Sequence, residues 1–335
     1  MQLRQLGRTG IRVPPLCLGT MTFGLQCDEA TSFAILDRAL DGGVDFIDTA
    51  DVYPLGGDHT SAGRTEEIIG RWLKARGHRE RVVLATKCAG ATGPGSNDAG
   101  LSRYHIQRAV EASLRRLQTD VIDLYQVHAF DPTTPVDETL RALDDLVRAG
   151  KVRYVGCSNY PAWRLSEAMA ASERLGLARY ETLQPRYNLL YREIETELLP
   201  MARAQGMGVI VYNPLAGGFL SGKYRQGEQP RTGTRFTLGT AGRRYQQRYW
   251  DDAQFEAVAR LAESVLQREQ NMASVAVAWA IARSGITSAI IGASRAEQLT
   301  DTLAAAELQL DEELNAACDA VWWALPRRPV LEGYR

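Results

Sequence analysis

Short apolar runs recur along the chain, each followed by a longer stretch in which apolar residues return every third or fourth position. The runs near 16–20, 44–48, 82–87, 121–127, 152–157, 181–184, 208–212 and 288–291 predict strands, because they are brief, rich in Val, Ile and Leu, and bounded by turn residues. Helical periodicity occupies 29–41, 65–76, 102–117, 137–149, 161–175, 193–205, 272–283 and 296–306. Several of these segments stop at Gly77, Gly150, Gly176, Gly206 or Gly285, the residue type that accepts a left-handed helix cap. Alternation of this kind builds right-handed βαβ units around a parallel sheet. A hairpin-like segment around Gly7 and Gly10 precedes the first strand. Two stretches are surplus: Gly217 to Gln267, polar and Arg-rich before a helix from about Asp251, and a last helix from about Asp311 to Ala324.

Alternation alone allows either an open doubly wound sheet or a closed barrel. An open dinucleotide-binding sheet carries G-x-G-x-x-G after its first strand, and Leu18-Gly19-Thr20-Met21-Thr22-Phe23-Gly24 has no such loop. Eight strand-like runs and the polar residues that end them favour the α/β class and a TIM-type (β/α)8 barrel, with residues 1–335 as a single domain. Asp48, Lys87 and His128 each stand where an apolar run gives out, and Tyr53 follows Asp48 in the same loop. The C-terminal strand ends of a barrel converge on one mouth, so these four residues are expected to meet there.

Their chemistries make a proton-donating phenol. A free phenol has a pKa of about 10, and bringing it to neutrality takes roughly 4 kcal/mol of preferential phenolate stabilisation. Lys87 is expected to supply it as a neighbouring cation, with Asp48 anchoring Lys87 and keeping it charged. His128 is expected to orient a carbonyl and share the proton. An acid aimed at a carbonyl oxygen suits reduction, because hydride arriving at carbon puts negative charge on that oxygen. The hydride then comes from a cofactor.

Composition narrows the partners. The chain has 39 basic and 40 acidic residues and a pI near 6.5, which disfavours a nucleic-acid surface and leaves a small-molecule carbonyl compound as the expected partner. The five cysteines form no C-x-x-C pair, so neither a disulfide framework nor a zinc site is expected, and a reducing cytoplasm is. The start of the chain has no long apolar segment and nowhere do about eighteen apolar residues run together, so no membrane association is expected. Either a monomer or a homo-oligomer is compatible with the Trp322-Trp323 pair, which suits core and interface alike.

The segments Phe46-Ile47-Asp48-Thr49-Ala50-Asp51-Val52-Tyr53, Ala85-Thr86-Lys87 and Gln126-Val127-His128 resemble the Asp and Tyr, Lys and His segments of the aldo-keto reductase superfamily. The resemblance runs over almost the whole chain. Gly7-Arg8-Thr9-Gly10, Gly100-Leu101-Ser102-Arg103, Asp131-Pro132-Thr133-Thr134-Pro135 and Ser221-Gly222-Lys223-Tyr224 look most like its longer bacterial members and the potassium-channel β-subunits. The resemblance implies the barrel, NADP(H) binding, and Asp48, Tyr53, Lys87 and His128 as catalytic residues. It also implies that Ser158, Asn159 and Gln184 take the nicotinamide carboxamide and that Tyr212 stacks on the ring. Asn213, Pro214, Leu215, Gly217 and Lys223 would line the pyrophosphate, with Arg235 closing over it. Gly292, Ser294, Arg295 and Gln298 would take the adenosine half, a set suited to a 2′-phosphate and hence to NADPH. Thr20, Met21 and Gln26 match positions at the cofactor and substrate rim. Where the family usually has Glu-Asn at the adenine, this chain has Asp301-Thr302, and a hydroxyl lacks the paired donor and acceptor of an amide.

A long loop at the active face is usually functional, so the stretch Lys223 to Arg248 is the expected lid. Met21, Phe23, Phe130, Trp163, Tyr191 and Trp250 are candidates for an apolar substrate pocket. Three rival readings are weaker. Gly217 to Lys223 fits G-x-x-x-x-G-K, but Tyr224 stands where a P-loop needs Ser or Thr for magnesium. A metal hydrolase is disfavoured because the four histidines are dispersed. The resemblance to channel β-subunits allows an NADP(H)-binding redox sensor with little turnover; those subunits place Asn where this chain has His128, and the complete set of four favours turnover.

Overall fold

A computed structural model describes residues 1–326. The chain begins with an antiparallel hairpin, β1 (Arg4–Gln5) and β2 (Arg12–Val13). Eight parallel strands follow: β3 (Leu16–Gly19), β4 (Phe46–Asp48), β5 (Val83–Cys88), β6 (Ile122–Val127), β7 (Val152–Ser158), β8 (Tyr180–Gln184), β9 (Gly208–Val211) and β10 (Ser288–Ile291). They pair in sequence order, and β10 closes onto β3, which makes a complete barrel with no free edge. Each expected strand is present, and the (β/α)8 barrel is the fold.

The outer helices are α1 (Glu29–Asp41), α2 (Arg64–Arg76), α3 (Arg103–Leu117), α4 (Val136–Arg148), α5 (Ala162–Leu175), α6 (Leu198–Ala204), α7 (Gly239–Tyr249), α8 (Asp252–Leu266), α9 (Met272–Ala282), α10 (Leu299–Ala304) and α11 (Glu312–Trp323). Their starts follow capping chemistry. Asp28, Ser102, Asp251, Asn271 and Asp311 each accept a first-turn backbone N–H of the helix they precede. Gly77 and Gly176 end α2 and α5 in the left-handed conformation, as the sequence leads one to expect.

Two expected helices differ. The segment 193–205 divides into a 3-10 turn, Glu193–Glu195, and the shorter α6. Pro200 lacks an N–H and would clash with a preceding turn, so the helix begins late enough to hold it in the first turn. The stretch 296–306 likewise starts as a 3-10 turn, Ala296–Gln298, before α10. The surplus region contains a helix that periodicity did not announce, α7, ahead of the expected α8.

The hairpin plugs the N-terminal end of the barrel. Leu6 and Val13 are wholly buried with Cys17, Phe46, Ala85, Leu124 and Ile210 from the barrel interior. Gly7 has φ +61°, and a Cβ there would lie 2.6 Å from the Gly208 nitrogen and 2.7 Å from the Glu181 carbonyl, so only glycine fits. With that end sealed, any ligand must enter at the C-terminal mouth.

Candidate active site

The strand register brings the polar strand ends to one level: Asp48 lies opposite Ala85, and Lys87 lies opposite Gln126. Lys87 is completely buried, and its Nζ pairs with Asp48 Oδ1 and donates to the Thr49 carbonyl at 2.7 Å. The second oxygen of Asp48 accepts from Gln184 Nε2 at 2.8 Å and Gln126 Nε2 at 3.1 Å. A buried ion pair is tolerable only when its remaining hydrogen-bonding capacity is met, and the two amides meet it. Asp48 is thus committed to Lys87 rather than to capping the loop that follows it.

Tyr53 stands over this pair. The Lys87 ammonium is 5.3 Å from its ring centroid, and the His128 ring meets it edge-on at 5.8 Å between centroids. The electrostatics differ from the sequence expectation. The Tyr53 pKa lies well above its ordinary value, first because of burial and then because of the Asp48 carboxylate, with Arg235 acting in the opposite direction. Burial disfavours the phenolate, and the Asp48 carboxylate that pairs with Lys87 also repels it. At neutral pH Tyr53 is therefore a protonated phenol. His128 is held well below its usual pKa by burial and by the nearby Lys87 charge. It is a neutral imidazole, suited to donating a hydrogen bond and not to carrying the transferred proton.

Asp48, Tyr53 and His128 open into a cavity of about 710 Å³, with Lys87 beneath its floor. Thr20, Met21, Gln26, Ser158, Asn159, Gln184, Tyr212, Asn213, Pro214, Leu215, Gly217, Lys223, Arg235, Gly292, Ser294, Arg295, Gln298, Asp301 and Thr302 all line the same cavity. Near Tyr53 the polar groups form a connected rim. Tyr212 donates to Asn159 Oδ1 at 2.9 Å, Asn159 Nδ2 donates to the His128 carbonyl at 2.9 Å, and Ser158 Oγ donates to the Gln184 carbonyl at 2.7 Å. Farther away the cavity is cationic. Burial and the charges of Arg231, Arg295 and Arg235 lower the Lys223 pKa, a sign of cations crowded together with too little negative charge among them. Of these, only Arg231 meets a carboxylate, Glu228 at 4.0 Å, among the described residues. Thr302 is buried and donates to the Leu299 carbonyl within its own helix turn. Among the described residues no cluster of His, Cys, Asp or Glu could hold a metal ion.

The expected lid is more structured than a loop. Residues 223–248 include a 3-10 turn, Arg235–Thr237, and nearly all of α7. Phe236, wholly buried, meets Trp250 at 4.8 Å, Tyr224 at 5.2 Å and Phe219 at 6.2 Å between ring centroids, so an aromatic cluster fastens this segment to the barrel rim. Gln246 Nε2 donates to the Phe236 carbonyl at 2.6 Å and ties α7 to the turn. Sequence reasoning missed what α7 presents. Ala241, Arg244, Tyr245 and Arg248, spaced as one helical face, line the cavity. That spacing was readable once a helix was assumed, but two glycines and a run of polar residues hid the helix.

The expected apolar pocket is corrected. Of its six candidates only Met21 lines the cavity. Phe23 is wholly buried in the core, Trp250 belongs to the aromatic cluster, and Trp163 is 61% exposed. Phe130 packs against Tyr160, and Tyr191 lies under the Arg186 guanidinium. The cavity lining instead includes the phenols of Tyr212 and Tyr245 and the arginines Arg244 and Arg248, beside Met21, Leu55 and Leu215.

The model of the family described as aldo/keto reductase matches residues 15–322. A protein named uncharacterized oxidoreductase YrpG from Bacillus subtilis is 45% identical over 320 residues, covering 94% of each chain. A probable voltage-gated potassium channel subunit beta from Arabidopsis thaliana is 35% identical across the full length of both. Norsolorinic acid reductase A from Aspergillus parasiticus is 35% identical over 317 residues, 91% of this chain and 76% of the fungal one.

Proposed function

The chain belongs to the aldo/keto reductase family, and on that premise we propose that it is an NADPH-dependent oxidoreductase that reduces an aldehyde or ketone to an alcohol. The observation that carries this reading is the single cavity with a protonated phenol, a neutral imidazole and a buried ion pair at one end and a crowd of cations at the other. Lys223, Arg231, Arg235 and Arg295 have the donor chemistry to hold the phosphates of a dinucleotide. Ser158, Asn159 and Tyr212, which line the cavity with Tyr53, would meet its nicotinamide. Bound NADPH supplies the hydride.

In this reading the substrate carbonyl oxygen sits between the Tyr53 hydroxyl and the His128 ring. Both donate to it, so negative charge growing on that oxygen is met by dipoles already in place. Tyr53 then gives up its proton to complete the alcohol. Lys87, paired with Asp48, offsets the phenolate left behind. The raised resting pKa of Tyr53 keeps the acid loaded before reaction. The proposed location is a reducing cytoplasm, where the five buried cysteines would stay thiols.

Resemblance to channel β-subunits supports a second reading, a nucleotide-binding sensor with little turnover. The two separate in one experiment: NADPH oxidation followed by absorbance with a panel of aromatic and aliphatic aldehydes and ketones. Sustained turnover with excess carbonyl is the expected result. Oxidation that stops after one equivalent of NADPH per protein would favour the sensor, and none at all would reject the proposed reaction.

A further inference from the structure

The cavity carries more positive charge than its dinucleotide end accounts for. Arg231, Arg295 and Arg235 all act on Lys223 and line the cavity with it. Arg244 and Arg248 stand on a different element, α7, whose Tyr245 ring meets Arg235 at 5.6 Å. They project from the cavity-facing side of α7, one turn apart, with Tyr245 between them in the same face. That face borders the reaction centre. Tyr212, whose hydroxyl bonds Asn159 beside His128, feels the charge of Arg248 as well as that of Arg186. Tyr53 in turn feels Tyr245 and Tyr212.

Neither Arg244 nor Arg248 pairs with a carboxylate among the described residues, and both are only partly exposed. The acidic cavity residue nearest the reaction, Asp48, is spent on Lys87. Two partly exposed arginines without carboxylate partners, aimed into a cavity, leave donor capacity that an anionic ligand can fill. Their helix is held firmly enough to aim them. The Arg248 carbonyl accepts from Gln254 Nε2 at 2.8 Å, Tyr249 accepts from Asn188 Nδ2 at 3.1 Å, and a Cβ on Gly242 would lie 2.7 Å from the Phe236 carbonyl, so α7 is seated against the turn before it.

We propose that α7 is the substrate-selecting element of this enzyme and that its preferred carbonyl substrates carry an anionic group, a carboxylate above all, which Arg248 and Arg244 bind while the carbonyl faces Tyr53. The inference rests on the carbonyl-reductase reading of the same cavity and adds the class of substrate to it. A bidentate guanidinium–carboxylate contact also fixes orientation, which is what a reducible carbonyl needs beside a single donor pair.

The test compares 4-formylbenzoate with its methyl ester, two aldehydes of similar shape that differ in charge. The NADPH-loaded enzyme should show a kcat/KM at least tenfold higher for the acid. Arg248→Ala, alone and with Arg244→Ala, should raise KM for the acid more than tenfold with a smaller change in kcat and should bring the acid-to-ester ratio near one. Arg248→Lys should recover part of the preference. Calorimetric titration with 4-formylbenzoate reads the same contact without turnover: the double variant should bind it at least tenfold more weakly while its Kd for NADPH stays within about twofold. Equal use of acid and ester by the parent enzyme, or equal loss of both in the variants, would overturn the proposal. So would loss of NADPH binding in the double variant, which would assign the arginines to the phosphates. If neither aldehyde is reduced but the acid still binds through Arg248, the anion site stands and the reductase reading falls.

Discussion

Lys87 and Asp48 show how the site uses burial at the scale of single residues. The pair is worth little as a net source of stability, because both charges gave up water to form it. Removing one partner is another matter. Lys87→Met leaves a buried carboxylate held only by Gln126 and Gln184, and it should cost about 3 kcal/mol in urea denaturation, with Lys87→Met/Asp48→Asn recovering at least half. A single variant as stable as the parent would mean that the pair is not shielded from water. His128 gives a sign that can be checked. Its folded pKa lies well below the value near 6.5 that it takes in the unfolded chain. Below about pH 6.5 the unfolded state binds a proton that the folded state refuses, so stability is complete above that pH and declines as the pH falls. His128→Gln should flatten the pH dependence of the urea midpoint between pH 6.5 and 5 by up to about 1.4 kcal/mol per pH unit. An unchanged slope would place the imidazole in contact with solvent.

At the scale of elements, the barrel strands and most helices are legible because burial writes itself into short β-branched runs and into three-to-four periodicity. What is not legible follows from other physics. The break before α6 is set by one proline within a periodic stretch, and α7 is stabilised by packing rather than by an apolar stripe of its own. Its inward residues are Gly242, Tyr245 and Tyr249, and its outward ones are polar. The pocket wall escaped for the same reason: aromatic residues near the mouth in sequence, such as Phe23 and Trp250, were drawn into the core and the rim cluster. That cluster is what keeps residues 217–249 in place. Phe236→Ala should accelerate backbone hydrogen exchange in α7 while leaving β5 and β6 protected, and it should weaken NADPH binding about tenfold. Uniform protection in the variant would show that the segment is held by something else.

For the whole molecule, closure is the decisive property. Periodicity does not distinguish a closed sheet from an open one, and the inference to a barrel came from Asp48, Lys87 and His128, whose placement at strand ends has a use only if those ends converge. The register confirms that they do, with the hairpin stopping the opposite end. The chemistry at the mouth was legible as a set of residues but not as an electrostatic balance. Sequence places a lysine near a phenol, whereas only the fold shows that burial and the Asp48 carboxylate hold the phenol protonated. The central claim, that the Tyr53 hydroxyl delivers the proton in carbonyl reduction, is tested most directly by Tyr53→Phe, which deletes one oxygen atom. With an aldehyde that the parent enzyme turns over, kcat should fall at least a thousandfold while the Kd for NADPH, read by fluorescence titration, stays within about threefold. Turnover within tenfold of the parent would remove Tyr53 from the chemistry and contradict the account.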